Sequence, residues 1–225
     1  MKVVLLHPLP VDGGIWRDVI ARLDHEVIAP SLYALGNSIQ EWARAVLALT
    51  GAGPLLIVGN SVGGSCAIET ARLAPERVCH LVLVGAKAGH RPEPALRDQI
   101  MGVLRDQGVE EAWRTYWEPL LGPTASDATR DRLRALTLSQ TPEELIRGVS
   151  VFHCRPDRTS FLQGWPGPVT IVTGEHDINP PAAQITANRL RQGSFVLLEG
   201  VGHYAPAEAP AALAAVVARA TRDVL

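Results

Sequence analysis

Short apolar runs alternate with helix-length amphipathic segments along most of the chain. Residues 3–6, 26–29, 55–59, 78–84, 169–173 and 195–198 are rich in Val, Leu and Ile and show little alternation of apolar and polar positions. That is the pattern of strands covered on both faces of a parallel sheet. Helical patterns fill the segments between them, at 15–23, 39–49, 63–73, 181–191 and 207–222. Strand and helix alternating in this way predict an α/β fold built on a doubly wound, mostly parallel six-stranded sheet.

The alternation stops between residues 89 and 164. Leu96, Ile100, Val103 and Leu104 share one helical face, and so do Trp113, Tyr116, Trp117, Leu120 and Leu121. Leu133 and Leu136 mark a third helix. Leu145, Ile146, Val149 and Phe152 mark a fourth, opened by the start signal Thr141-Pro142-Glu143-Glu144. Helices inserted between two strands of one sheet are expected to form a lid over the carboxyl ends of the strands, where ligands bind in open α/β sheets. The chain therefore divides into a core of residues 1–88 and 165–225 and a lid of residues 89–164, with proline-rich joints at 91–94 and 165–168.

Composition narrows the function. At 225 residues and 47% hydrophobic, the chain can bury a large core. A net charge of −2 without any basic tract argues against a nucleic-acid partner. The three cysteines, Cys66, Cys79 and Cys154, form neither a metal nor a disulfide pattern, and the first two are expected in the core. No apolar run is long enough for a membrane span, and the start of the chain is too short in apolar residues for a signal peptide. The expected setting is cytoplasmic, and no motif for a cofactor is present.

The chemistry centres on Gly59-Asn60-Ser61-Val62-Gly63, which lies where an apolar run gives way to a helical pattern. Glycine on both sides of a serine allows a turn too tight for a Cβ and pushes the hydroxyl out at the carboxyl edge of the sheet. The N–H of Val62 then falls at a helix N-terminus, where negative charge is favoured. A serine hydroxyl needs a base, and the base needs an orienting group. Asp177 follows the run 169–173, and His203 follows the run 195–198. Ser61, Asp177 and His203 thus stand after different strands at one edge of the sheet.

Nearly the whole chain resembles the α/β-hydrolase family. The resemblance is carried by Leu6-His7-Pro8-Leu9-Pro10, Gly59-Asn60-Ser61-Val62-Gly63-Gly64, Gly174-Glu175-His176-Asp177 and Gly202-His203. It implies Ser61 as nucleophile, Asp177 as orienting acid, His203 as base, and the backbone N–H groups of Val62 and Leu9 as the oxyanion hole. It also implies a sheet lacking the family's first two strands. His7-Pro8 stands where the family usually has His-Gly, and proline carries no N–H, so the loop that aims Leu9 is expected to differ. The implied activity is hydrolysis of a small carboxylic ester through an acyl-enzyme. A thioesterase or C–C bond hydrolase with the same triad, or a hydroxynitrile-lyase-type enzyme, are the alternatives. A serine at the nucleophile position argues against epoxide hydrolases and haloalkane dehalogenases, which carry aspartate there.

Other residues near these motifs are expected to be structural. His7 packs a loop, His176 belongs to the acid-bearing turn, and Glu175 is a substitute acid only if Asp177 is not the orienting one. Asp157 anchors the end of the lid, and Asp12 caps a helix near Ile15. Trp113, Tyr116 and Trp117 are expected to pack lid helices together, with a substrate-facing aromatic patch as the alternative, and Lys87 is expected at the surface near the site, with a contact to an acidic substrate as the alternative.

Overall fold

The computed structural model describes residues 1–222; positions 223–225, the end of the expected core, lie outside the described residues. The strands are β1 (Lys2–Leu6), β2 (Val27–Ile28), β3 (Leu55–Asn60), β4 (Val78–Val84), β5 (Val169–Gly174) and β6 (Gly193–Leu198). They form one six-stranded sheet in the order β2-β1-β3-β4-β5-β6, and every neighbouring pair is parallel. Every residue of β3 and β5 is buried, as continuous apolar runs require of strands covered on both faces.

The edges depart most from the sequence pattern. β2 is only two residues long and half-buried; the polar Asp24, His25 and Glu26 that precede it suit an edge. β6 begins at Gly193, two exposed residues ahead of its apolar run, because pairing with β5 starts there. Cys79 is half-buried rather than in the core. The register passes from Leu55 opposite Val78 to Leu56 opposite His80, so Cys79 is the extra residue of a bulge. Cys66 is fully buried, as expected.

The core helices are α1 (Arg17–Ile20), α2 (Ile39–Thr50), α3 (Val62–Leu73), α9 (Pro180–Asn188), α10 (Ala205–Glu208) and α11 (Pro210–Arg222). The helix expected over 15–23 is shorter and starts earlier. Asp12 accepts from the Gly14 N–H at 2.8 Å and opens a 3-10 turn, Gly13–Trp16, that runs into α1. The helix expected over 207–222 is split at Pro210, which has no N–H to continue it.

Between β4 and β5 stand α4 (Pro94–Asp106), α5 (Val109–Ala112), α6 (Asp127–Leu138), α7 (Pro142–His153) and a short α8 (Thr159–Gly164) that the periodicity does not reveal. The Trp113–Trp117 segment is a π turn followed by a 3-10 turn, Glu118–Leu120. The start signal at Thr141 is a complete capping box. The Glu144 N–H donates to Thr141 Oγ1 at 3.2 Å, and the Thr141 N–H donates to Glu144 Oε2 at 2.9 Å. Among the described residues no helix is long and apolar enough to cross a membrane, and no group of His, Cys, Asp and Glu is placed to hold a metal ion.

Candidate active site

Ser61 joins β3 to α3 with φ 55° and ψ −118°, the one non-glycine residue with positive φ among those described. A β-carbon in that region is strained, and the surroundings hold it there. The Ser61 N–H donates to the Val84 carbonyl at 2.9 Å. A Cβ on Gly63 would lie 2.2 Å from the Leu6 carbonyl oxygen, so glycine alone lets α3 start this close to β1. The Ser61 hydroxyl does not cap α3; it lines a cavity of about 390 Å³.

His203 lines the same cavity. Its Nδ1 is 2.7 Å from Asp177 Oδ1, and both side chains are almost fully buried. Asp177 Oδ1 also accepts from the Ile178 N–H at 2.6 Å. Burial alone would push the Asp177 carboxyl up, but the hydrogen bond and charge of His203, the Ile178 amide and the Lys87 ammonium outweigh it and hold it below its ordinary value. The carboxylate is therefore ionised, and an ionised acceptor at Nδ1 leaves Nε2 as the basic nitrogen.

The backbone of His203 is tied down on every side. Its N–H donates to the Leu120 carbonyl at 2.8 Å, and its carbonyl accepts from Asn60 Nδ2 at 3.2 Å. Asn60 Nδ2 also donates to the Val84 carbonyl at 3.0 Å, so the residue before Ser61 binds the histidine loop to the sheet. Glu208 accepts from the N–H groups of Gly202, Tyr204 and Gly122 at 2.8–2.9 Å. One carboxylate thus clamps both sides of His203 and the segment that follows the 3-10 turn of the insertion. The sequence motifs assign no role to Asn60 or Glu208. The signal was present for Glu208, five residues after His203 at the first turn of the next helix.

The amides of Val62 and Leu9, expected to form an oxyanion hole, donate to no acceptor among the described residues. Leu9 lines the cavity, so the loop after β1 reaches the site despite Pro8. The Leu9–Pro10 peptide is cis.

Residues 3–216 match the family model described as "Alpha/beta hydrolase family". The chain belongs to this family. A 2-succinyl-6-hydroxy-2,4-cyclohexadiene-1-carboxylate synthase of Enterobacter sp. (strain 638) is 25% identical over 98% of this chain and 91% of its own length. Among solved structures, a thermophilic esterase from Thermogutta terrifontis superposes with a TM-score of 0.89 at 23% identity, covering 100% of this chain and 90% of that one. The enol-lactonase from Burkholderia xenovorans LB400 superposes with a TM-score of 0.86 at 17% identity, covering 98% of this chain and 91% of that one. At these identities the structures establish a shared fold.

The remaining residues of this α/β hydrolase fall mostly where their sequence context places them. His7 is fully buried, with Nδ1 3.0 Å from the Pro8 carbonyl and Nε2 accepting from the Leu32 N–H at 2.8 Å. Burial pushes its pKa down to about 4, against the pull of the Pro8 carbonyl and Asp12, so it is a neutral loop brace. Glu175 accepts from the Gly200 N–H at the surface, and His176 stands beside it. Asp157 accepts from the N–H groups of His90 and Thr159, anchoring both ends of the insertion. Trp113 is fully buried and packs on Tyr204. Trp117 is buried in the core and Tyr116 packs against it, as expected, and both also line the cavity. The π turn is wider than an α turn and breaks the spacing from which their shared face was read. Lys87 is exposed, as expected, yet it too lines the cavity.

Gly85, just after β4, has φ +53°, and a Cβ there would lie 2.5 Å from Asp177 Oδ2 and 3.1 Å from His203 Nδ1. Gly85→Ala is expected to cost roughly 1–2 kcal/mol for the left-handed backbone and to push the Asp–His pair apart. A thermal melt combined with kcat on an aryl ester checks this. A variant of wild-type turnover would show that the pair tolerates displacement.

Proposed function

We propose that this α/β hydrolase cleaves a small carboxylic ester by way of an acyl-enzyme on Ser61. The observation that carries the reading is the buried 2.7 Å contact between His203 and Asp177 beside the cavity that Ser61 and His203 share. In this reading His203 Nε2 takes the proton of the Ser61 hydroxyl as Oγ attacks the carbonyl carbon. The N–H groups of Val62 and Leu9 hold the oxyanion; removal of one such donor commonly costs ~10²–10³ in rate. His203 then gives its proton to the departing alcohol and activates the water that clears the acyl group. Asp177 stays ionised, holds the imidazole tautomer and stabilises the imidazolium. The helices of residues 89–164 act as the lid, because Ile100, Tyr116, Trp117, Val149 and Phe152 wall the cavity above the serine.

A fluorophosphonate probe is expected to add its mass to the peptide that contains Ser61. A p-nitrophenyl ester is expected to release a burst of nitrophenol equal to the enzyme, followed by slower turnover. Label on another residue would overturn the nucleophile, and a thioester turned over in preference to the ester would move the substrate class. One observation favours a second reading. A hydroxynitrile-lyase-type reaction needs a cation to receive cyanide, and Lys87 lines the cavity. Cyanide released from a cyanohydrin without ester turnover would establish it.

A further inference from the structure

We infer that the ester taken by this enzyme carries a carboxylate, and that Arg155 binds it inside the cavity that holds Ser61. The inference rests on the esterase reading and adds the charge of the substrate to it. Arg155 follows the C-terminal end of α7, is 8% exposed and lines that cavity. Its Nη1 donates to the Phe152 carbonyl at 2.5 Å and its Nη2 to the Gly89 carbonyl at 3.3 Å. Its Cζ lies 3.9 Å from the centre of the Phe152 ring. The Nε–H is buried without a hydrogen-bond partner.

Among the described residues no carboxylate forms an ion pair with the guanidinium. Asp157 is committed to the amides of His90 and Thr159, and Glu93 is exposed. Both acids favour the charged form of Arg155, but neither forms an ion pair with it. Burial lowers the Arg155 pKa to about 10, which leaves the group fully charged at neutral pH. A charge withdrawn from water, touching two neutral carbonyls and an aromatic ring while the nearest acids form no ion pair with it, is costly. The surface arginines here show the alternative, since Arg130 and Arg134 each pair with a glutamate.

A carboxylate from a bound molecule would supply the missing charge, and the planar fork of arginine suits its two oxygens. Lys87 adds a second positive charge at the cavity, and Glu93 on the same lining opposes it. His153 also lines the cavity, but burial, with the Arg155 charge next, lowers its pKa and favours the neutral form. Ile100, Trp117, Leu120 and Val149 line the same space, so much of the wall that such a substrate would meet is apolar.

The test compares matched esters that differ by one negative charge. The acyl arm uses mono-p-nitrophenyl adipate and its pimelate and suberate homologues against their methyl esters. The alcohol arm uses the hexanoate ester of 6-hydroxyhexanoate against its methyl ester. Wild type is expected to favour the charged member of at least one arm in kcat/KM by about 10- to 100-fold, the size of one charged hydrogen-bonded contact. Arg155→Met is expected to collapse that ratio toward one, and Arg155→Lys to keep part of it. No preference in either arm overturns the inference, and so does a ratio that survives Arg155→Met or collapses only in Lys87→Met. Failure of the esterase reading looks different, because then neither member of any pair is turned over and Ser61 takes no fluorophosphonate.

Discussion

Ser61→Ala is expected to lower kcat on a p-nitrophenyl ester by about 10⁶-fold, the scale on which removal of a serine nucleophile acts in enzymes that use one with a histidine base. The loss is that large because, in the proposed mechanism, the remaining groups work only through Ser61 Oγ. Without it, His203 has no proton to take and no acyl-enzyme forms. The residual rate would come from the Val62 and Leu9 amides and from binding, and such residues of activity reach ~10³–10⁴ over water. The fold is expected to stay intact. The serine hydroxyl caps no helix amide, and alanine meets the same backbone strain at φ 55° as serine does. Turnover and a thermal melt measured on one preparation separate chemistry from folding. A variant within tenfold of wild type would mean that the reaction runs without Ser61.

Asp177→Asn is expected to cost about 10⁴-fold in kcat. The substitution keeps the size of the side chain, and its amide oxygen can still accept from the Ile178 N–H. It changes what His203 meets. An amide N–H turned toward Nδ1 makes that nitrogen an acceptor, so the ring proton moves to Nε2, the atom that must take the proton of Ser61. The substitution also removes the charge that balances an imidazolium. Glu175→Gln and Asp157→Asn serve as controls, because those carboxylates hold loop amides outside the cavity. Each should leave kcat within a few-fold. A larger loss in Glu175→Gln than in Asp177→Asn would move the orienting role to Glu175.

Much of this could be read from the chain because it is local. The run of residues 78–84 is β4 at the expected bounds, and the elbow needs only glycines at fixed offsets from Ser61. Asp177 and His203 follow their strands and meet as the chain order implies. What escaped reading depends on distant partners. Gly85 is required by side chains some 90 and 120 positions further on. Glu208 collects amides from the His203 loop and from Gly122. Arg155 is one arginine among many until the fold buries it without an ion-pair partner among the described residues. β2 and β6 differ from their apolar runs at the ends because, at the sheet's edges, pairing rather than apolarity sets where a strand begins.

The clamp at Glu208 divides the cavity into walls with different freedom to change. The Leu120–Gly122 side is tied to His203, directly through the Leu120 carbonyl and indirectly through the Gly122 amide, which shares Glu208 with the amides on either side of His203. A substitution that moved this side to admit a larger substrate would move His203 with it. Among the described residues α4 and α7 have no such bond to His203, and Leu96, Ile100 and Val149 reach the cavity from them. Selection, natural or in the laboratory, can therefore alter substrate choice through α4 and α7 at little risk to proton transfer. The strip from Leu120 to Gly122 is bound to drift only in concert with the histidine it supports.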